Sequence, residues 1–216
     1  MARTSLPYSV AQRLPRYLMQ VQNLRQVGLK WISSQDLADT LGLTSSTVRQ
    51  DFSHFDFSGI AKRGYLLKGL EAMLAEVLGA DANINMVIIG AGNLGRALAL
   101  HGQFPARGFK IVGLFDKDPR IVGRKVGRLE VQAMKALPGV IRKSQVAIGV
   151  ITVPAASAQE VADQLIAAGI RGLLNLAYVH LVVPRHVAVV DARIISSLQE
   201  LSYAIKAKSR PAARRS

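Results

Sequence analysis

The chain has 216 residues, half of them hydrophobic, with a net charge of +14 and no cysteine. That length allows one large or two small domains, and that apolar content supplies a core. The absence of cysteine excludes disulfides, thiolate metal sites and thiol redox chemistry. No apolar run approaches the ~20 residues of a membrane span, and the first residues lack the pattern of a secretory signal. A cytoplasmic protein with no membrane association is expected, and the basic excess points to a polyanionic partner.

In chain order, the first predicted element is a helix from Pro7 to about Val27. Leu14, Tyr17, Leu18, Val21 and Leu24 recur on it at three- and four-residue spacing, and Gly28 ends it. Residues 32–55 then read ISSQDLADTLGLTSSTVRQDFSHF. Ser33 or Ser34 caps a helix carrying Leu37, Ala38 and Leu41, and Gly42 breaks it. Thr44 caps a second helix with Val48, Phe52 and Phe55 on one face. Ser45, Ser46, Thr47, Arg49, Gln50 and Ser53 occupy its other faces, which suit phosphate oxygens and base edges. Helix, glycine turn and polar second helix form the helix-turn-helix pattern. Residues 57–65, FSGIAKRGY, follow as a hairpin with Lys62 and Arg63 near its tip, the wing of a winged helix. Leu66 to Leu78 is a further helix, and Gly79 to Asn83 reads as a linker.

Beyond it stands MVIIGAGNLGRALALHGQFPARGFKIVGLFD, residues 86–116. An apolar strand enters Gly90-Ala91-Gly92-Asn93-Leu94-Gly95, a helix follows, and a second apolar strand ends on Asp116. This is the order of a dinucleotide-binding βαβ unit, with the acid roughly twenty residues beyond the last glycine. The pyrophosphate is expected over the glycine turn and the ribose hydroxyls at Asp116, whose charge repels a 2′-phosphate. NAD(H) is therefore the expected cofactor, with Lys117 and Arg120 the nearby cations. Residues 145–153 form a continuous apolar run, as in a buried parallel strand. It ends at Thr152-Val153-Pro154, a turn placed to flank the nicotinamide. A helix at 157–168 and a strand at 172–176 follow, the latter carrying Asn175, which can hydrogen-bond a ligand amide. A strand at 187–190 and a helix with Ile194, Leu198, Leu201 and Ile205 in one stripe close the pattern. His101, down the helix from the glycine turn, is the histidine nearest the cofactor. The four histidines have no metal-ligand spacing, and no catalytic constellation or substrate domain emerges. Neither an enzyme nor a metal protein is expected.

The whole pattern resembles the Rex family of redox-sensing transcriptional repressors. The residues that carry the resemblance are ISSQDLADTLGLTSSTVRQDFSHF, IIGAGNLGRALA, FDKDP at 115–119, VGRKVG at 122–127, ITVPA, AAGIRGLLN and LQELSYAI. It implies an α/β protein with an N-terminal winged helix-turn-helix domain (1–80), a Rossmann-like parallel-sheet domain binding NAD(H) (81–193), a C-terminal domain-swapped helix (194–206) and a basic disordered tail (207–216). It implies a homodimer that holds double-stranded operator DNA when free or NAD⁺-bound and releases it on binding NADH. Met19, His101 and Arg193 stand where the family usually has arginine, tyrosine and aspartate, groups that link nicotinamide state to domain closure. A weakened or altered switch is expected from these three. Two other readings are a paralogue that binds DNA without redox response and an NAD-linked oxidoreductase with a helical appendage.

Overall fold

The computed structural model describes residues 6–80 and 83–208. The chain divides into two compact units, one up to residue 82 and one from residue 83.

The first unit comprises α1 (Tyr8–Gln26), β1 (Trp31–Ile32), α2 (Ser34–Leu41), α3 (Ser45–Phe52), β2 (Tyr65–Leu66) and α4 (Leu67–Leu78). Its core gathers the apolar stripe of α1 (Val10, Leu14, Tyr17, Leu18, Val21), Leu37 and Ala38 of α2, Val48 and Phe52 of α3, and Leu67, Leu70 and Leu74 of α4. The boundaries follow local chemistry. Ser33 accepts a hydrogen bond from the Asp36 N–H at the start of α2, and Gly42 ends α2 at φ +67°. Thr44 caps α3 by accepting from the Thr47 N–H. The wing is smaller than the predicted hairpin. Its own pairing is a single bridge, Ile60 to Gly64. The chain then returns along β2, which pairs antiparallel with β1, Ile32 opposite Tyr65. A side chain at Gly64 would collide with the Ile32 carbonyl, and Gly64 itself sits at φ +84°.

The second unit runs β3 (Ile84–Ile89), α5 (Asn93–Ala99), β4 (Phe109–Asp116), β5 (Lys125–Val126), β6 (Leu129–Ala133), α6 (Leu137–Lys143), β7 (Ile148–Ile151), α7 (Ala155–Ala167), β8 (Gly172–Asn175), β9 (Ala188–Asp191) and α8 (Ile194–Lys208). Its sheet has the order β5-β6-β4-β3-β7-β8-β9. All pairs are parallel except β5–β6. Successive residues of β3 point to opposite faces. Val87 and Ile89 pack with α6 and α7, while Met86 and Ile88 join the cluster that includes Leu98 and Ala99 of α5. The chain passes from β3 to β4 on one side and later reaches β7 on the other. The crevice at the carboxyl ends of β3 and β7 is therefore the topological switch point where open α/β sheets bind ligands.

Residues 117–144 hold the β5–β6 hairpin and α6, elements the sequence patterns did not predict. The last helix also extends further than expected, through Lys208, into the stretch read as a disordered tail; residues 209–216 lie outside the described residues. From Ser197 to Ala207 every side chain of α8 is exposed.

Candidate dinucleotide site and nucleic-acid interface

The glycine turn is shaped by what it cannot accommodate. Gly90 lies at φ +104°, and a Cβ there would stand 2.9 Å from the Thr152 carbonyl oxygen. A Cβ at Gly95 would collide with the Gly90 carbonyl oxygen. By contrast, a Cβ at Gly92 would meet nothing within 4 Å. Gly90 and Gly95 thus serve the close packing of strand, turn and helix, whereas Gly92 faces open space, the side from which a ligand's phosphates approach. The residues present fit a dinucleotide in this respect.

Asp116 closes the turn. Its carboxylate accepts from the Ala91 N–H at 2.6 Å and from the Asp118 N–H at 2.9 Å. Asp116 thereby anchors the glycine loop as well as presenting negative charge at the end of β4. The neighbouring cations are engaged. Arg120 is chelated by Asp118 at 2.8–3.1 Å, and this side-chain hydrogen bonding lowers the Asp118 carboxyl to about 2. The Lys117 ammonium donates to the Ser157 hydroxyl at 3.3 Å. Arg120 is thus paired, and Lys117 is directed toward α7 by Ser157.

Gly90, Gly92, Asp116, Lys117, Thr152, Val153 and Pro154 line one cleft of about 230 Å³. Met134, Ser157, Glu160 and Gln164 line it too, residues that sequence reasoning missed because α7 and the turn after β6 reach the cleft only through the fold. Ala91 is buried, while Asn93 and Leu94 are exposed in the first turn of α5, where Asn93 accepts from Arg96. Three expected ligand groups have other work. The Thr152 hydroxyl lies beneath the glycine turn, 2.9 and 2.8 Å from the Ile89 and Gly90 carbonyls. Asn175 is fully buried, and its amide nitrogen donates to Val179 O and Asp191 Oδ1 while its oxygen accepts from Ala177 N. Both amide hydrogens are spent inside the chain, so Asn175 ties the loop after β8 to the end of β9. His101 lines a separate cavity with Lys110, Gly127 and Arg128, its ring tilted against Phe104.

At the base of α8, Arg193 donates to Asp191 at 3.0 Å and lies 5.8 Å from the Tyr178 ring. Its Nε is buried without a partner. Asp191 therefore bridges Arg193 to Asn175.

In the first unit, Ser46, Arg49, Gln50 and Ser53 are exposed, whereas Ser45 and Thr47 are half-buried. Thr47 and Ser46 both share a hydrogen bond with the capping Thr44 hydroxyl. The Ser53 hydroxyl donates back to the Gln50 carbonyl. Arg49 donates to Ser34 Oγ at 3.2 Å, which leans it toward the start of α2. The exposed polar side chains of α3 are thus few, and Gln50 and Arg49 are the longest of them. The wing carries Lys62 at φ +63° and Arg63 beside it, both exposed.

What orients α3 was absent from the pattern analysis. Asp51 is buried and accepts from Arg13 Nε and Nη2 at 2.6 and 2.7 Å and from the Tyr17 hydroxyl at 2.7 Å. Burial, then the bond to Asp51, pushes the Tyr17 phenol well above its ordinary value. Tyr17 in turn meets the Phe52 ring edge-on at 5.0 Å. The sequence signal was a hydroxyl within the apolar stripe of α1, Tyr17, with a cation, Arg13, one helical turn before it. Among the described residues no cluster of histidine or acidic groups could hold a metal, and no helix is long and apolar enough to cross a membrane.

A winged helix-turn-helix unit and a parallel-sheet unit with a dinucleotide cleft define a class of ligand-responsive DNA-binding proteins. Residues 5–53 match the family described as "Putative DNA-binding protein N-terminus", and residues 81–179 match the CoA binding domain family. The redox-sensing transcriptional repressor Rex of Caldicellulosiruptor saccharolyticus is 40% identical over 206 residues, covering 95% of this chain and 94% of that protein. Its counterpart in Carboxydothermus hydrogenoformans is 40% identical over 201 residues, covering 93% and 97%. The crystal structure of RSP, a Rex-family repressor, in complex with NAD⁺ and operator DNA matches with a TM-score of 0.88 at 35% identity, covering 95% of this chain and 94% of that one. RSP in complex with NADH matches at 0.87, again at 35% identity, covering 95% and 96%. The chain belongs to the Rex family of redox-sensing transcriptional repressors.

Proposed function

We propose that this chain is a dimeric transcriptional repressor that binds operator DNA through α3 and the wing and senses the NADH/NAD⁺ balance through the cleft at Gly90–Gly95 and Asp116. The observation that carries this reading is the cleft: an open approach at Gly92, a carboxylate at the end of β4, and the neighbouring Arg120 already paired with Asp118. That combination suits an adenosine ribose with free hydroxyls and a pyrophosphate on the loop amides. Asp116 also favours NAD(H) over a 3′-phosphorylated nucleotide such as coenzyme A. The chain acts without catalysis, in keeping with relatives that are repressors.

Dimer formation is assigned to α8. Ile194, Leu198 and Leu201 are exposed on one stripe, and Ile195 and Tyr203 are exposed on other faces. A terminal helix of this kind is readily exchanged between subunits. Truncation before Ser196 is expected to yield a monomer with weak operator binding; a soluble dimer of normal DNA affinity would rule the exchange out.

A second reading, DNA binding with an incomplete redox switch, is favoured by the groups at its centre. Arg193 is held by Asp191, and His101 faces a cavity other than the dinucleotide cleft. A ligand shifts a two-state equilibrium only by its differential affinity for the two states, so NADH can bind and still release DNA poorly.

A gel shift on palindromic duplexes separates a repressor from an oxidoreductase with a helical appendage. Arg49→Ala is expected to weaken operator binding by about 1–3 kcal/mol. Lys62→Ala is expected to weaken all duplexes alike and lower the salt slope by about one. Unchanged affinity in both variants would refute this face.

A further inference from the structure

In the wing, the Arg63 guanidinium carbon lies 4.3 Å from the centroid of the Trp31 ring. Trp31 is half-buried at the start of β1, paired across to Leu66. Arg63 is exposed, and among the described residues its guanidinium makes no hydrogen bond or ion pair. The turn that presents it is closely determined. Arg63 N–H and Gly64 N–H both donate to the Ile60 carbonyl, and Ile60 N–H donates to Gly64 O. Lys62 holds the left-handed conformation at the tip, and Gly64 admits no side chain.

We infer that Trp31 is a positioning residue for DNA recognition: it holds Arg63 by its flat face so that the N–H edge of the guanidinium meets the duplex. This rests on the DNA-binding reading above and adds a residue outside the helix-turn-helix pattern. The chemistry is specific to arginine on an aromatic ring. Stacking uses the π-face and leaves the in-plane donors for phosphate or groove acceptors. It also removes rotamer freedom before binding, so less is lost when the contact forms. Among the described residues the other wing cation, Lys62, has no such platform and acts as a point charge.

Trp31 is the only tryptophan in the chain, so the same residue reports on the contact. The probe is a palindromic duplex selected by the full-length wild-type protein from a random-sequence pool. Its addition is expected to change Trp31 emission. Arg63→Ala should alter that emission in the free protein, because the stacked cation is gone. Trp31→Leu and Arg63→Ala are each expected to weaken duplex binding on the order of three- to tenfold, and the double variant no more than the stronger single. Trp31→Phe, which keeps an aromatic face, should recover most of the loss. Losses that multiply in the double variant, wild-type affinity in Trp31→Leu, or a Trp31 emission indifferent to both duplex and Arg63→Ala would overturn the inference. If Trp31→Leu fails to fold, the emission and affinity of Arg63→Ala and Trp31→Phe decide it. Failure of the wild type to select any duplex would instead sink the DNA-binding reading from which the inference starts.

Discussion

The two units hold their working surfaces by different means. In the first, α3, the helix proposed to read DNA, is fixed by side chains: its buried carboxylate takes three hydrogen bonds from Arg13 and Tyr17 on α1. In the second, the cleft is fixed by backbone: Gly90 and Gly95 permit contacts that no side chain could share, and Asp116 and Thr152 bond to loop main-chain atoms. A surface set by side chains depends on pairs distant in sequence. A surface set by backbone depends on glycines at fixed spacing.

The sharpest way to break this comparison is Asp51→Ala. The change removes three hydrogen bonds at once and leaves the buried Tyr17 hydroxyl without an acceptor, a loss on the order of 3–5 kcal/mol. DNA binding should be lost through unfolding of the first unit, while NADH binding persists. Calorimetry with NADH alongside thermal unfolding checks this; joint loss of both activities would show that the units are not held independently. Gly95→Ala is the mirror test. Its Cβ has no room against the Gly90 carbonyl, and overpacking of this kind costs roughly 1–3 kcal/mol. NADH affinity should fall at least about tenfold while DNA binding without cofactor stays intact.

Asp116→Ala removes a charged acceptor from the loop amide, worth about 1.5–3 kcal/mol. NADH affinity should drop and discrimination against NADPH relax, as read by calorimetry with both nucleotides. A wild type that prefers NADPH would contradict the assignment of Asp116. Tyr17→Phe is the mildest change, about 0.5–1.5 kcal/mol, since Arg13 still neutralises Asp51. The phenol's raised proton affinity gives it a pH signature. The folded state holds the proton more tightly than the unfolded chain, whose tyrosine titrates near 10. This contribution is fully present below about pH 10 and is lost as pH climbs through the higher folded value. The alkaline fall in stability of the first unit should therefore be shallower in Tyr17→Phe.

The same contrast explains which features could be read from the chain. Gly90, Gly92, Gly95 and Asp116 announce a backbone-built site by spacing alone. The caps Ser33 and Thr44 and the stop at Gly42 mark α2 and α3 because capping is local chemistry. Asp51 is invisible by such means: it sits on a helix of polar residues, and its partners lie 34 and 38 positions away. The cleft residues Ser157 and Glu160 likewise face the site only because α7 starts at the switch point. The β5–β6 hairpin has one two-residue strand, too short for a period. Helix α6 is seven residues with Pro138 and Gly139 near its start, a composition that reads as a turn. Asn175 was recognisable as special but not in its role, since its partners Val179 and Asp191 belong to later segments.

Between the two units stands the claim that the state of a nucleotide in the second governs DNA held by the first. The most direct test titrates a selected operator duplex with the full-length protein at saturating NAD⁺ and then at saturating NADH. The account predicts weaker operator binding with NADH, and release that stays incomplete, as proposed from the altered groups Met19, His101 and Arg193. Equal operator affinity in the two nucleotides would contradict it.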